Sequence, residues 1–192
     1  MTLIQADLIP GSGDQLITYD TDTNFQWLNL TATANRSVNE VLAGFGGFTT
    51  TYGFRYATGA EVGELFRHAG ISKGLTEPPF VLTPTTEPNH IGIEILQDLM
   101  NGKSFLATGT AVRTYGMYNG GGWWRRYLHL GILNHVNSRT EVLPIQPPNI
   151  LDRRSVDTGS YLMKVSPLPL LASRTRSRMK QPKGSKKTRG RK

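Results

Sequence analysis

Residues 20–66 constrain the fold more than any other segment, because a hairpin pattern is followed there by two helix starts. Apolar and polar residues alternate over 15–20, turn-forming residues occupy 21–24, and a second short strand pattern covers 25–30. This order predicts a β-hairpin near the N-terminus. Trp27, in its second strand, is the expected core anchor.

Two helix starts follow, each marked by the spacing of a capping box. Ser37 precedes Glu40 by three residues, and Thr58 precedes Glu61 by the same interval. In this motif the hydroxyl and the carboxylate each bond a free backbone N–H of the first turn. Gly70 is the expected residue after the end of the second helix. The apolar stripes predicted to be buried are Val38, Val41, Leu42 and Phe45 in the first helix and Val62, Leu65, Phe66 and Ala69 in the second.

The rest of the domain is predicted to hold one more helix and then β-structure. Asn89 is the expected cap of the third helix, and Gly102 is its expected end. Its predicted buried positions are Ile91, Ile95, Leu96 and Leu99. Strand patterns follow at 111–115 and 126–133 around a glycine-rich turn, then a proline-rich link at 144–148 and a last strand at 159–165. We therefore predict a single α+β domain over residues 1–166, with an N-terminal β-hairpin, two or three short capped helices and late antiparallel β-hairpins.

The positive charge of the chain is confined to its end. The formal net charge is +8, yet residues 174–192 contain ten Lys or Arg and no acidic residue, which leaves 12 basic and 14 acidic residues before them. We predict a disordered basic tail over 167–192. Such tails bind phosphate backbones without sequence choice. The residues concerned are Arg174, Arg176, Arg178, Lys180, Lys183, Lys186, Lys187, Arg189, Arg191 and Lys192.

No pattern of catalytic or metal-ligating residues stands out. The chain has no cysteine, and no phosphate-binding loop or Ser-His-Asp arrangement can be assembled. Asp20 and Asp22 are interpreted as turn-stabilising residues, and His68 as a cation at a helix C-terminus. His129 and His135 lack the i, i+4 spacing of a helical zinc pair. We predict no enzymatic activity, no catalytic residue, no cofactor and no bound metal.

The best candidate for a binding surface is the stretch 120–127. Its residues after the glycines are Trp123, Trp124, Arg125, Arg126 and Tyr127. Aromatic rings stack on sugars or bases, and arginines donate hydrogen bonds to hydroxyls or phosphates. The simpler interpretation, which we favour, is a glycine-rich hairpin with one tryptophan facing inward, because strand neighbours alternate between faces. That interpretation leaves one exposed tryptophan beside arginine.

The tripeptide Glu87-Pro-Asn89 is a weaker candidate. It matches the sugar-selecting tripeptide of calcium-dependent lectins, in which oxygen ligands hold Ca²⁺ and a sugar together. No Trp-Asn-Asp partner follows, because Trp123 and Trp124 are followed by two arginines. A turn followed by a helix cap at Asn89 is the favoured interpretation.

With these elements placed, the chain resembles exported bacterial proteins of the PEP-CTERM class, which carry a C-terminal exosortase sorting signal. The matching segments, in order, are residues 16–23, 27–31, 37–41, 54–58, 61–62, 65–66 and 159–167. The resemblance implies export, an envelope or extracellular-matrix location and an association with exopolysaccharide. The layout is also similar to that of extracellular modules with a C-type-lectin-like arrangement.

The chain departs from that class at both ends. It shows no signal peptide, Ser166-Pro-Leu-Pro replaces the Pro-Glu-Pro motif, and the apolar segment at 168–172 is too short to span a bilayer. A cytoplasmic location follows if the sequence is complete as written. The expected function is thus that of a non-enzymatic exported or envelope-associated protein contacting polysaccharide through 120–127. The alternative is a nucleic-acid-binding protein acting through its tail, and a calcium lectin using Glu87 and Asn89 is a third possibility.

Overall fold

A computed structural model describes residues 3–71, 83–84, 88–100, 104–105, 111–119, 126–133, 139–145, 151–152 and 154–166. Within these ranges, helices and mainly antiparallel strands occur together in one chain, as the α+β prediction expected. The helices are α1 (Val38–Leu42), α2 (Gly59–His68) and α3 (Pro88–Leu99). The strands are β1 (Leu3–Ala6), β2 (Ile17–Asp20), β3 (Phe25–Leu28), β4 (Arg55–Tyr56), β5 (Thr83–Pro84), β6 (Ser104–Phe105), β7 (Ala111–Tyr118), β8 (Arg126–Leu133), β9 (Arg139–Ile145), β10 (Thr158–Ser160) and β11 (Leu162–Val165).

The predicted N-terminal hairpin forms the middle of a five-stranded antiparallel sheet. β2 and β3 pair with Ile17 opposite Leu28 and Asp20 opposite Phe25. The strand order is β1-β2-β3-β11-β4. The edge strand β1 was not predicted, because its four residues are too few to show an alternating pattern against the neighbouring loop.

At β3 and β11 this sheet is covered on both faces. Adjacent residues of a strand point to opposite sides, and here both sides are covered. In β3, Trp27 belongs to the core cluster that contains α2 and α3, whereas Leu28 belongs to the cluster that contains α1. β11 repeats the arrangement with Met163 and Leu162. Trp27 is fully buried, which confirms its predicted role as an anchor.

The second sheet has the order β10-β7-β8-β9-β5, with β6 also paired to β7. β8 has the bounds that the sequence predicted. The predicted proline-rich link was wrong at its start, because Pro144 lies within β9 and pairs with Leu128. The last predicted strand was also wrong in its continuity. It is divided at Tyr161, so that β10 joins this sheet in parallel with β7 while β11 joins the first sheet.

Both predicted capping boxes are present. At α1, Ser37 Oγ accepts from the backbone of Glu40 while Glu40 Oε2 accepts from the backbone of Ser37. α1 has only five residues, and Leu42, which was predicted to be buried, is 46% exposed. The helix ends because Gly44 adopts a positive φ of 102°, which turns the chain before Phe45 could continue the stripe.

α2 matches its prediction along its whole length. The four predicted stripe residues, Val62, Leu65, Phe66 and Ala69, are buried. Gly70 has a φ of 93°. Its backbone N–H donates to the carbonyl of Arg67, and the backbone N–H of Ile71 donates to the carbonyl of Phe66. This is the Schellman arrangement, in which a left-handed residue after the helix satisfies its last carbonyls.

The buried face of α3 differs from the prediction. Leu96 is buried as expected and Leu99 is partly buried, whereas Ile91 and Ile95 are 57% and 39% exposed. The buried residues centre instead on Ile93, Leu96, Gln97 and Met100. Gly92 explains the rotation: a Cβ there would lie 2.5 Å from the carbonyl oxygen of Ala69, so the helix packs its glycine against the end of α2.

Candidate functional site

The turn between β2 and β3 places a carboxylate in the core. Asp20 is 1% exposed, and its Oδ1 accepts from the backbone N–H of Asp22 at 3.0 Å. Asn24 closes the turn with a φ of 59°. The predicted turn-stabilising role of Asp20 is confirmed by this bond, but the turn leaves its second carboxylate oxygen directed at another element.

That second oxygen meets a histidine from α2. His68 Nδ1 lies 2.7 Å from Asp20 Oδ2, and the histidine side chain is only 10% exposed. On its other side, Nε2 lies 3.0 Å from Glu64 Oε1, one helical turn earlier. His68 is the last residue of α2, so the helix-end position was predicted correctly. The contact with Asp20 was missed, since the two residues are 48 positions apart.

Two effects shift the pKa of the Asp20 carboxyl in opposite directions. Burial would raise the pKa of its carboxyl, but hydrogen bonds from His68, Thr23 and Asp22 together lower that pKa below its ordinary value. Asp20 is therefore a buried carboxylate held in its ionised form by its neighbours.

Asp22 completes the group, which we call the Asp20–His68 cluster: Asp20, Asp22, Glu64 and His68. One ligand atom each of Asp20, Asp22 and His68 lies within 4.8 Å of the others. Asp22 is exposed, whereas the other two are buried or nearly so. From the sequence, Asp20 and Asp22 were interpreted together as turn residues and His68 separately as a helix-end residue, because no sequence spacing relates the hairpin turn to the end of α2.

The predicted binding residues are only partly within the described ranges. Arg126 and Tyr127 are the first residues of β8, and they pair with Tyr118 and Met117 of β7. Trp123, Trp124 and Arg125 lie outside the described residues. The pairing nevertheless defines what they connect: the chain passes from β7 to β8 within residues 119–125.

The lead-in to this connection is fixed to α2. The backbone N–H of Asn119 donates to Ala57 O at 2.7 Å, and Asn119 forms an isolated parallel bridge with Thr58, the N-cap of α2. Tyr118, just before it, is buried in the core cluster that contains α2. The binding candidate and the Asp20–His68 cluster are thus associated with opposite ends of the same helix.

Of the remaining residues that the sequence suggested as candidates, the structure describes only some. The prediction that Asn89 caps α3 was wrong. The helix begins at Pro88, so Asn89 is its second residue. Proline suits the first helical position, because its missing N–H would have no partner there. Glu87 and the ten basic residues of 174–192 lie outside the described residues, as does His135.

No helix in the described part of the chain is long and apolar enough to cross a bilayer. Comparisons of the chain with models of protein families, with curated proteins and with solved structures find no match. The resemblance to PEP-CTERM proteins therefore stays a prediction based on the segments given above.

Proposed function

We propose that this chain is a non-enzymatic exported or cell-envelope-associated bacterial protein, similar to PEP-CTERM proteins, that contacts exopolysaccharide through residues 120–127. The observation that carries the proposal is the pairing of Tyr118 with Arg126. Arg126 and Tyr127 are thereby the first residues of the returning strand, and in our proposal the other residues of the stretch act from the connection that precedes them. Loops held by a rigid scaffold are common sites of recognition.

The scaffold under this hairpin is well anchored. Tyr118 is 8% exposed, and a Cβ on Gly59 of α2 would lie 3.0 Å from its ring. Asn119 is bonded to the strand-to-helix junction at Ala57. The end of β7 that leads into the proposed binding residues is therefore fixed to α2, and a preordered scaffold lowers the entropic cost of binding.

The non-enzymatic part of the proposal has separate support. His68, which contacts a buried carboxylate, has both ring nitrogens within hydrogen-bonding distance of carboxylate oxygens. Both nitrogens of this histidine are thus engaged by side chains of the protein itself, which supports a structural rather than a catalytic role for it.

The proposal is tested by measuring polysaccharide binding by the unchanged full chain and by its single variants Trp123→Ala and Trp124→Ala. If one tryptophan faces inward, its variant lowers the unfolding temperature. The other variant keeps the unfolding temperature and weakens binding about tenfold, in line with the loss of one stacked ring. Arg125→Ala should also weaken binding, with Arg154→Ala, an exposed arginine bonded to Glu40, as the matched control. No binding to any polysaccharide, or unchanged binding in both tryptophan variants, would contradict the proposal.

The alternative of nucleic-acid binding is separated by deleting residues 173–192. Loss of nucleic-acid retention at about 150 mM salt, with polysaccharide binding absent in both proteins, would favour the tail as the functional part.

A C-type-lectin-like layout and a disordered basic tail belong to the same proposal. Nuclear magnetic resonance of the full chain tests the tail, whose amide signals should be narrow and poorly dispersed.

A further inference from the structure

The acceptor motif of N-linked glycosylation, Asn-x-Ser/Thr without proline in the middle, occurs twice in the chain. The two copies are Asn29-Leu-Thr31 and Asn35-Arg-Ser37, close together between β3 and α1. A motif this short arises often by chance, so its structural context decides whether either asparagine is a real acceptor. A glycan is bulky and lies on the surface, so the folded chain carries one only where the asparagine amide faces solvent.

Asn29 does not meet this condition. It directly follows β3, and it is 0% exposed. Its Nδ2 donates to Gln15 O at 2.7 Å, and its backbone N–H donates to the carbonyl of Leu16. A glycan on this nitrogen would have to displace the bond to Gln15 and push the chain out of the core. Glycosylation of Asn29 before folding would therefore block the hairpin, so any productive transfer follows the packing of β3.

Asn35 meets the condition. It is exposed in the turn that leads into α1, and its φ of 59° lies in the left-handed region, which asparagine tolerates better than most residues. The turn is fixed in place because the backbone N–H of Asn35 donates to Ser155 O at 2.9 Å. This bond is made by the backbone, so a substituent on the side-chain Nδ2 leaves it intact.

Exposed apolar side chains beside this turn are a second, independent indication of a glycan. Val156 follows the residue that is bonded to Asn35, and it is 71% exposed. Leu151 is 41% exposed, and its carbonyl accepts from the backbone N–H of Asn39 in α1. Residues that are bonded to the acceptor turn and to α1 thus leave two large apolar side chains in water next to Asn35. A bulky, solubilising glycan on Asn35 covers surface of this kind.

We propose that Asn35 is an N-glycosylation site that is modified after the domain has folded. The inference rests on the export proposed above, because the transfer takes place outside the cytoplasm. The donor is an oligosaccharide linked to a lipid diphosphate. Nδ2 of Asn35 forms a bond to the anomeric carbon of the first sugar, and the bond from that carbon to the diphosphate oxygen breaks. The lipid diphosphate leaves with the electron pair, and one amide proton passes to a base of the transferase.

Ser37 supplies the hydroxyl of the motif, and its surroundings set a condition on the transfer. It is 4% exposed, and its Oγ accepts from the backbone N–H of Glu40 at 3.2 Å as the cap of α1. The transferase therefore reads this hydroxyl only when the first turn of α1 opens. Since α1 has five residues, that opening is local and leaves the sheets in place.

Mass spectrometry of the full chain, isolated from the envelope or medium of its own cells, tests the inference. The first Lys or Arg is Arg36, so both asparagines lie on one tryptic peptide, and fragmentation that retains the glycan separates them. We expect a glycan on Asn35 and none on Asn29. Ser37→Asn keeps a residue suited to the cap but removes the hydroxyl, so it should abolish the modification. Ser37→Thr is the matched control: it keeps both the cap and the motif, and it should keep the glycan.

If Ser37→Asn fails to fold by circular dichroism, Asn35→Asp decides the question, because aspartate also tolerates the left-handed turn. That variant should fold and carry no glycan. An envelope or secreted protein with unmodified Asn35, a glycan on Asn29, or a glycan retained in Ser37→Asn would overturn this inference alone. Recovery of the chain from the cytoplasm only would overturn it together with the proposed export. A glycosylated, exported chain that binds no polysaccharide would contradict only the role of residues 120–127.

Discussion

The two ends of α2 use similar chemical groups at very different depths. At the start, Glu61 completes the capping box and pairs with Arg55 at 2.5 Å, with the arginine side chain 53% exposed. At the end, His68 pairs with Asp20, and both are nearly buried. The partners at the start are within six residues of each other, whereas those at the end are 48 apart. Pairing at a surface is worth little, whereas removing one partner of a buried pair leaves an uncompensated charge in the core and costs more.

The largest expected effect is at the buried end. His68→Ala leaves the Asp20 carboxylate buried without its partner, which should lower the free energy of unfolding by about 3 kcal/mol. Urea denaturation at pH 7 measures it. The control Arg154→Ala removes a surface arginine whose side chain is 58% exposed, and its cost should be much smaller. Equal losses in the two variants would remove the contrast.

A smaller effect is expected at the capped start. Thr58→Ala removes the hydroxyl that accepts from the backbone of Glu61, which should lower the free energy of unfolding by about 1 kcal/mol. Thr31→Ala, at an exposed position with no cap to lose, should have almost no effect. A loss as large as that of His68→Ala would show that the start of α2 is as critical as its end.

The smallest effect depends on pH. The hydrogen bond from Arg55, with those from Thr58, lowers the pKa of Glu61 from 4.5 to about 2. The unfolded chain therefore binds this proton more tightly than the folded one, so the pair stabilises the fold fully above about pH 4.5 and its contribution is lost as the pH falls toward 2.

Glu61→Gln keeps a residue suited to the capping box and removes this charge. It should cost about 0.5 kcal/mol at pH 7 and close to nothing at pH 2. Urea denaturation at both pH values measures the difference. The lowered pKa of Asp20 acts in the same direction, so acid should still destabilise the variant. A cost that stays constant with pH would show that the Arg55 pair contributes nothing.

Several elements were predictable because their determinants are local. The two capping boxes, the turn after Asp20 and the end of α2 at Gly70 each depend on residues within a few positions. The stripe of α2 was predictable as well, because a ten-residue helix with one apolar face leaves a single way to bury it.

Other elements could not be predicted from sequence patterns, because their form depends on which distant element packs against them. α3 has apolar residues on more than one face, and contact of Gly92 with the end of α2 decided that Ile93 rather than Ile91 is buried. The apolar run around Tyr161 looked like one strand. The ring of Tyr161 fits over Gly116 at a point where the chain changes sheets, and neither residue predicts the other.

For this protein the sequence alone determined where the hairpin turns, where α1 and α2 start and where α2 stops, because these caps and turns are satisfied by hydrogen bonds between near neighbours. Only the tertiary structure decided the rotation of α3, the division of the last strand and the meeting of Asp20 with His68. Those depend on burial and charge between segments that are distant in the chain, and a buried carboxylate finds its partner only when both elements have packed.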